Sequence, residues 1–259
     1  MSQYLSPIAI AQKLSAYDLY TFNSRTVADL FDLDKFQTSN LLRRMEQAGL
    51  VARIERGNYV LLGMTPEKVM SNPLYIGCSL AAPCYITGWS ALHFYGLTEQ
   101  APRKVFIATS RRKPELSFGL MTFKFITIDP RIFFGYQRIV HADLPVVIAD
   151  EAKAILDSLF LPRYSGGLAE AARALSIAIR EKELSITDLL EYAARFQSPS
   201  LSARLGYLLE LLGQPVKGLP EPRGPVRLDP QNPAMGEYNA RWKLYVNIST
   251  ADLFPAGVA

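Results

Sequence analysis

The chain has 259 residues, 49% of them apolar and 20% charged, with a net charge of +4. That balance belongs to an ordinary globular protein rather than a disordered or fibrous one, and the mild positive charge permits nucleic-acid binding without demanding it. No run of about 18 apolar residues occurs, which argues against a membrane-spanning helix, and at roughly 100–200 residues per domain the length fits one large domain or two smaller ones.

Residues 1–17 carry no positive charge ahead of their apolar stretch and have polar residues at helical spacing, so a signal peptide is a poor reading. Ile8, Ala11, Leu14, Ala16 and Leu19 predict the apolar face of a first helix, with Pro7 suited to its first turn. Asn23 or Ser24 is an N-cap for a short second helix carrying Val27, Leu30 and Phe31. After a turn at 32–34, residues 35–48 predict a third helix, with Phe36, Leu41, Leu42 and Met45 facing inward and Gly49 as its stop. The period then changes from helix to strand. Residues 50–54 and 59–62 predict two strands, joined by a turn in which Gly57 supplies the permissive backbone.

Three helices followed by a hairpin predict a winged helix-turn-helix domain over residues 1–63. On its third helix the polar set Gln37, Thr38, Ser39, Asn40, Arg43 and Arg44 lies where a recognition helix presents side chains to the major groove. Arg pairs bidentately with guanine, and Asn or Gln with adenine. Arg53 and Arg56 sit on the wing, within reach of phosphate or the minor groove. The competing reading is a solvated helix face and a charged hairpin on a module that binds another protein.

Residues 64–259 predict a mixed α/β block followed by a helix-rich region, so the expected fold class is α+β. Thr65-Pro66 starts a helix or linker that Asn72-Pro73 breaks. Residues 84–88 read as a strand end, 89–95 as a short helix, and 104–109 and 122–128 as strands. A further strand is possible at 138–141, and 144–148 is a short apolar segment. Helices are predicted at 151–161, 168–181, 187–196 and 200–212, the third with a capping signal at Ser185. Residues 214–236, rich in Pro and Gly, read as a surface loop and 241–248 as a closing strand.

Charge is unevenly spread. Residues 1–63 hold seven Lys and Arg against six Asp and Glu, whereas 103–124 hold six basic residues against one acid. The basic cluster Arg103, Lys104, Arg111, Arg112, Lys113 and Lys124 therefore lies outside the predicted DNA-reading segment. These six are candidate contacts to a partner or to phosphate. The alternative is the solvated rim of a hairpin.

The chemistry-bearing patterns are sparse. Cys78, Cys84, His93 and His141 are the only cysteines and histidines, and they have none of the compact zinc spacings. The two cysteines read as small buried hydrophobes in a reducing cytoplasm. No phosphate-cradling Gly-rich loop, nucleophile elbow or kinase signature occurs. Tyr164-Ser165-Gly166-Gly167 reads as a flexible loop. The expectation is a protein with no catalytic residue, no cofactor and no metal. An enzyme anchored to DNA through the winged helix, with an unfamiliar site, is the outlying alternative.

Three stretches resemble the AbiEi-type antitoxins, the transcriptional-regulator half of abortive-infection E toxin–antitoxin pairs. They are the predicted winged helix at about 6–62, the central run Tyr85–Pro102 with its Ser-Ala-Leu and Gly-Leu-Thr-Glu-Gln, and 203–210 with 239–247 near the C-terminus. The resemblance implies a cytoplasmic repressor that binds double-stranded DNA at an inverted repeat in its own promoter. It also implies that residues 64–259 form an antitoxin domain opposing a toxin with a nucleotidyltransferase-like fold. It carries over no cofactor, no catalytic residue and no membrane association. Trp89, Leu92, Tyr207, Leu208 and Trp242, within these stretches, read as core. On this reading the basic cluster extends the DNA-binding surface, meets an acidic toxin surface or lies on the toxin's nucleic-acid route.

Overall fold

The structure, a computed structural model, describes residues 6–63, 65–181, 184–220, 222 and 224–254. The leader reading at 1–17 and the loop reading at 214–236 rest in part on residues outside this set. The fold is mixed α+β, and it divides into two compact units. The first comprises the described residues up to 82 together with 118–120 and 140–146; the second comprises 83–117, 121–139 and the described residues from 147 onward.

The first unit runs α1 (Pro7–Ala16), β1 (Thr21–Asn23), α2 (Ser24–Phe31), α3 (Lys35–Gln47), β2 (Val51–Glu55), β3 (Asn58–Leu61), α4 (Glu67–Met70) and α5 (Pro73–Ser79). Asn23 caps α2 by accepting from the Thr26 amide at 2.9 Å. Asp34 caps α3 in a reciprocal box: its carboxylate accepts from the Gln37 amide at 2.8 Å, and its own amide donates to Gln37 Oε1 at 3.0 Å. Two of the orphan donors at the helix start are thereby satisfied. Gly49 and Gly57 both adopt positive φ, at 68° and 83°, ending α3 and turning β2 into β3.

Strand β3 pairs antiparallel with β2 and, on its other side, with β1. Strand β1 is a partner the sequence reading missed. Its Phe22 stacks on Tyr59 with centroids 6.0 Å apart. Leu14, Val27, Leu41, Leu42, Met45 and Val60 form the core of this unit, each large side chain contributing about 1.5–3 kcal/mol by leaving water. Four assignments of inward faces are corrected. Phe36 is 75% exposed, and Ile8, Ala16 and Leu30 are also exposed. Their helices are short and covered on one side, so the buried stripe is Ile10, Ala11 and Leu14 on α1, Val27 on α2, and Leu41, Leu42 and Met45 on α3. Asn72-Pro73 does not merely break a helix. Asn72 caps α5 by accepting from the Tyr75 amide at 3.0 Å, and Pro73 occupies the first turn.

Most of a six-stranded sheet, in the order β6-β7-β5-β4-β9-β8, lies in the second unit. The strands are β4 (Cys84–Ile86), β5 (Val105–Thr109), β6 (Leu116–Phe118), β7 (Met121–Thr127), β8 (Tyr136–His141) and β9 (Leu144–Ala149), with helix α6 (Gly88–Phe94) between β4 and β5. Strand β5 runs antiparallel to β4 and parallel to β7, so the sheet is mixed. Helices α7 (Glu151–Phe160), α8 (Leu168–Glu181), α9 (Ile186–Phe196) and α10 (Pro199–Leu211) follow. A small sheet then forms from β10 (Val226–Arg227), β11 (Glu237–Asn239) and β12 (Leu244–Val246), ahead of α11 (Thr250–Leu253). The closing strand is shorter than the predicted 241–248, and the apolar 144–148 segment is a full strand.

Among the described residues, no helix is long and apolar enough to cross a membrane. No group of three or more His, Cys, Asp or Glu among them could hold a metal ion.

Candidate nucleic-acid interface

Helix α3 separates its side chains sharply by face. Leu41, Leu42 and Met45 are buried, while Phe36, Ser39, Arg43 and Gln47 are exposed at intervals of three and four residues and share the opposite face. Asn40 and Arg44 flank that face, half-buried. Arg53 on β2 is exposed opposite Tyr59 on β3, and Arg56 is exposed at the hairpin turn. Ser39, Arg43, Arg53 and Arg56 of the predicted set are therefore solvent-facing on one helix and one hairpin of the same unit.

Two predicted residues are engaged internally. Thr38 is 4% exposed, and its hydroxyl donates to the Asp34 carbonyl at 2.7 Å. Gln37 is exposed, but its side-chain oxygen is committed to the Asp34 amide. Both serve the start of the helix, because a helix N-terminus consumes whatever polar groups lie one turn in. The sequence pattern missed Phe36, whose aromatic ring stands on the exposed face with Arg43. Its place three and seven residues before Ser39 and Arg43 was the available signal.

The basic cluster of the second unit divides. Lys104 Nζ donates to Glu115 at 2.7 Å, and Lys124 Nζ lies 3.5 Å from the other oxygen of the same carboxylate. The Lys104 hydrogen bond holds the Glu115 carboxyl below its ordinary pKa. Arg103, Arg111 and Arg112 are exposed. Arg112, Lys113 and Lys124 line an open groove of about 890 Å³, in which Arg163 joins them.

The most concentrated set of titratable groups lies elsewhere, in the interior of the second unit. Lys153 on α7 has no solvent exposure. It pairs with Asp157 one turn on and donates to the Tyr85 hydroxyl at 2.9 Å. Asp157 also accepts from Thr87 at 2.7 Å and from Tyr85 at 3.1 Å. The ring of Phe196 lies 4.6 Å from the ammonium. Burial pulls the Lys153 pKa down and Asp157 opposes it, while burial and the neighbouring Asp157 charge push the Tyr85 phenol up. Each polar atom of this cluster has a protein partner, and its ammonium is sealed from solvent. The arrangement is that of a core ion pair with its hydrogen bonds satisfied.

The stretches singled out in the sequence are likewise used internally. Thr98 and Gln100 donate to Glu170 on α8, which also pairs with Arg173. Ser90 accepts from the Phe106 amide at 3.0 Å. Tyr164–Gly167 is not a free loop: a 3-10 turn covers Pro162–Tyr164, Ser165 is fully buried, and a side chain at Gly166 would meet the Trp89 ring at 3.0 Å. Near the C-terminus, Arg204 donates to the Leu228 carbonyl at 2.9 Å, and Glu210 accepts from Trp242 Nε1 at 2.7 Å. Leu92, Leu208 and Trp242 are buried, whereas Trp89 and Tyr207 are half-buried.

No family model matches the chain, and no curated protein does. The structure is similar to the crystal structure of the RV2827C protein from Mycobacterium tuberculosis, with a TM-score of 0.58 over 91% of this chain and 89% of that chain at 12% identity. A likeness at that identity is one of fold alone.

Proposed function

We propose that this chain is an autoregulatory DNA-binding repressor and antitoxin of the AbiEi type. Its residues at about 6–62 act as a winged helix, with α3 as the recognition helix and the β2–β3 hairpin as the wing. The observation that carries the reading is the exposed stripe Phe36, Ser39 and Arg43 on α3, beside the exposed wing cations Arg53 and Arg56. Arg43 would read guanine, and Phe36 the methyl group of thymine. Arg53 and Arg56 would hold phosphate. The partners are double-stranded DNA of the chain's own promoter, at an inverted repeat, and a nucleotidyltransferase-like toxin opposed by residues 64–259 in the cytoplasm. The resemblance in residues 85–102, 203–210 and 239–247 supports the antitoxin part.

A gel-shift titration against the upstream promoter, with a scrambled duplex as control, tests the DNA part. Specific binding that persists at higher salt supports it. Equal, salt-labile binding to both duplexes, or none, overturns it. Co-expression with a neighbouring nucleotidyltransferase-like protein tests the antitoxin part, with rescue of growth as the expected outcome. A second reading, a protein-interaction module, draws on the exposed Phe36 and Leu30, since large apolar side chains at a surface mark interaction sites. A failed gel shift with retained rescue of growth would favour it.

A further inference from the structure

The groove of the second unit combines two chemistries. Its floor is the apolar strip Ile126 and Ile128 with Phe160 and Leu161, and its rim is cationic. Helix α7 ends at Phe160, and Pro162 begins the 3-10 turn that carries Arg163 and Tyr164 into the groove's lining. Arg163 lies over the Tyr164 ring at 4.7 Å, and Lys113 lies over Phe125 at 5.2 Å. Tyr164 is half-buried, with one further aromatic neighbour, Phe106, at 6.2 Å.

Charge in the groove favours an anion. Its lining holds four cations, Arg112, Lys113, Lys124 and Arg163, against two acids, Glu115 and Asp129. Glu115 pairs with Lys104 and Lys124, and Asp129 with Arg131 at 2.7 Å, so the positive charge offered to a ligand rests on Arg112 and Arg163. Arg112 and Arg163 are exposed at the rim. The volume falls within the roughly 300–1,000 Å³ of ligand-binding clefts.

We infer that this groove binds single-stranded nucleic acid, with Arg112 and Arg163 on the phosphates and an unpaired base stacked beside Tyr164. A positively charged groove with aromatic stacking surfaces is the arrangement that single strands use. Duplex DNA offers only phosphate to such a site, because its bases are already stacked and paired. An acidic peptide satisfies the rim cations but brings no base-like planar group to stack beside Tyr164. The site is independent of α3, so this inference and the repressor reading fail separately.

The test is fluorescence anisotropy of the full chain with a labelled 12-nucleotide RNA of mixed sequence and the DNA strand of the same sequence. Arg112→Glu/Arg163→Glu, both at exposed positions, is expected to weaken binding at least about tenfold. Tyr164→Ala is expected to weaken it roughly 5- to 100-fold, and Tyr164→Phe to restore it, because base–aromatic stacking needs the ring and not the hydroxyl. Arg43→Ala/Arg44→Ala is expected to leave single-strand binding unchanged while lowering affinity for the promoter duplex. Unchanged affinity in the charge-reversed variant overturns the assignment. So does competition by the duplex, or by poly-glutamate, as effective as that by unlabelled single strand. Loss of single-strand binding in the α3 variant alone also overturns it, by moving the site to the first unit.

Discussion

Helices α3 and α7 are of similar length and both carry cations among apolar residues, yet they place those cations oppositely. On α3, Arg43 faces solvent and the buried stripe is narrow. On α7, every residue from Ala152 to Leu159 is buried, Lys153 and Asp157 included. Helices α6, α8, α9 and α10 pack against α7, and Tyr85 of β4 donates to its Asp157, whereas the Arg43 face of α3 is exposed. A cation left at a surface remains available to a ligand. One enclosed in the core is already spent on Asp157 and Tyr85 and can only hold the fold together.

The largest expected effect breaks the α7 side of that comparison. Lys153→Met leaves Asp157 buried without its counter-charge and is expected to cost about 3–5 kcal/mol in urea unfolding. The double change Lys153→Met/Asp157→Leu is expected to recover much of the loss. A single variant with the wild-type midpoint would show that the pair is not enclosed. Next comes Gly206→Ala on α10, where a Cβ would lie 2.2 Å from the Trp242 ring. Overpacking of this kind typically costs about 1–3 kcal/mol, read here as a lower Tm with red-shifted tryptophan emission.

On the α3 side, Arg43→Ala is expected to lose about 1–3 kcal/mol of promoter affinity if it pairs with a base, while stability changes by no more than about 0.5 kcal/mol. A melting-temperature drop matching that of Lys153→Met would erase the distinction between the helices. Thr38→Val, on the same helix but buried, should do the reverse: a stability loss of about 1 kcal/mol from the hydroxyl's lost hydrogen bond, with promoter affinity retained. The smallest effect belongs to Glu115→Gln. Lys104 lowers the folded-state pKa of Glu115, so the stabilisation is present above the ordinary carboxylate range and fades as pH falls through the lowered value. At this partly exposed pair it amounts to less than about 1 kcal/mol, and the Gln variant should flatten that limb of a Tm-against-pH curve.

The local elements were legible where chemistry is local. Asn23 at the start of α2, Gly49 after α3, Gly57 in the hairpin and Ser185 ahead of α9 all act within one turn of their own chain positions, so composition and spacing identify them. Strands β1 and β6 are three residues each, too short for a period of two to show. Of the candidate residues, Arg43, Arg53 and Arg56 could be placed on exposed faces from periodicity. Thr38 could not be told from its exposed neighbours, because its burial depends on what covers the first turn of α3.

Backbone propensity, capping and the 3.6-residue period suffice to read off the mixed α+β class, most helix boundaries and the polar stripe of α3. Which polar residues remain available depends on packing between distant segments. Lys153 and Asp157 stand at i, i+4 on α7, and their burial follows from what packs around that helix. Thr98 and Glu170, 72 positions apart, meet only once α8 has packed. Arg163 joins Arg112 and Lys113 in one groove through the 3-10 turn that follows α7. Burial and charge proximity depend on contacts between distant segments, and the physical cost of an unpaired buried charge then fixes what each side chain can do.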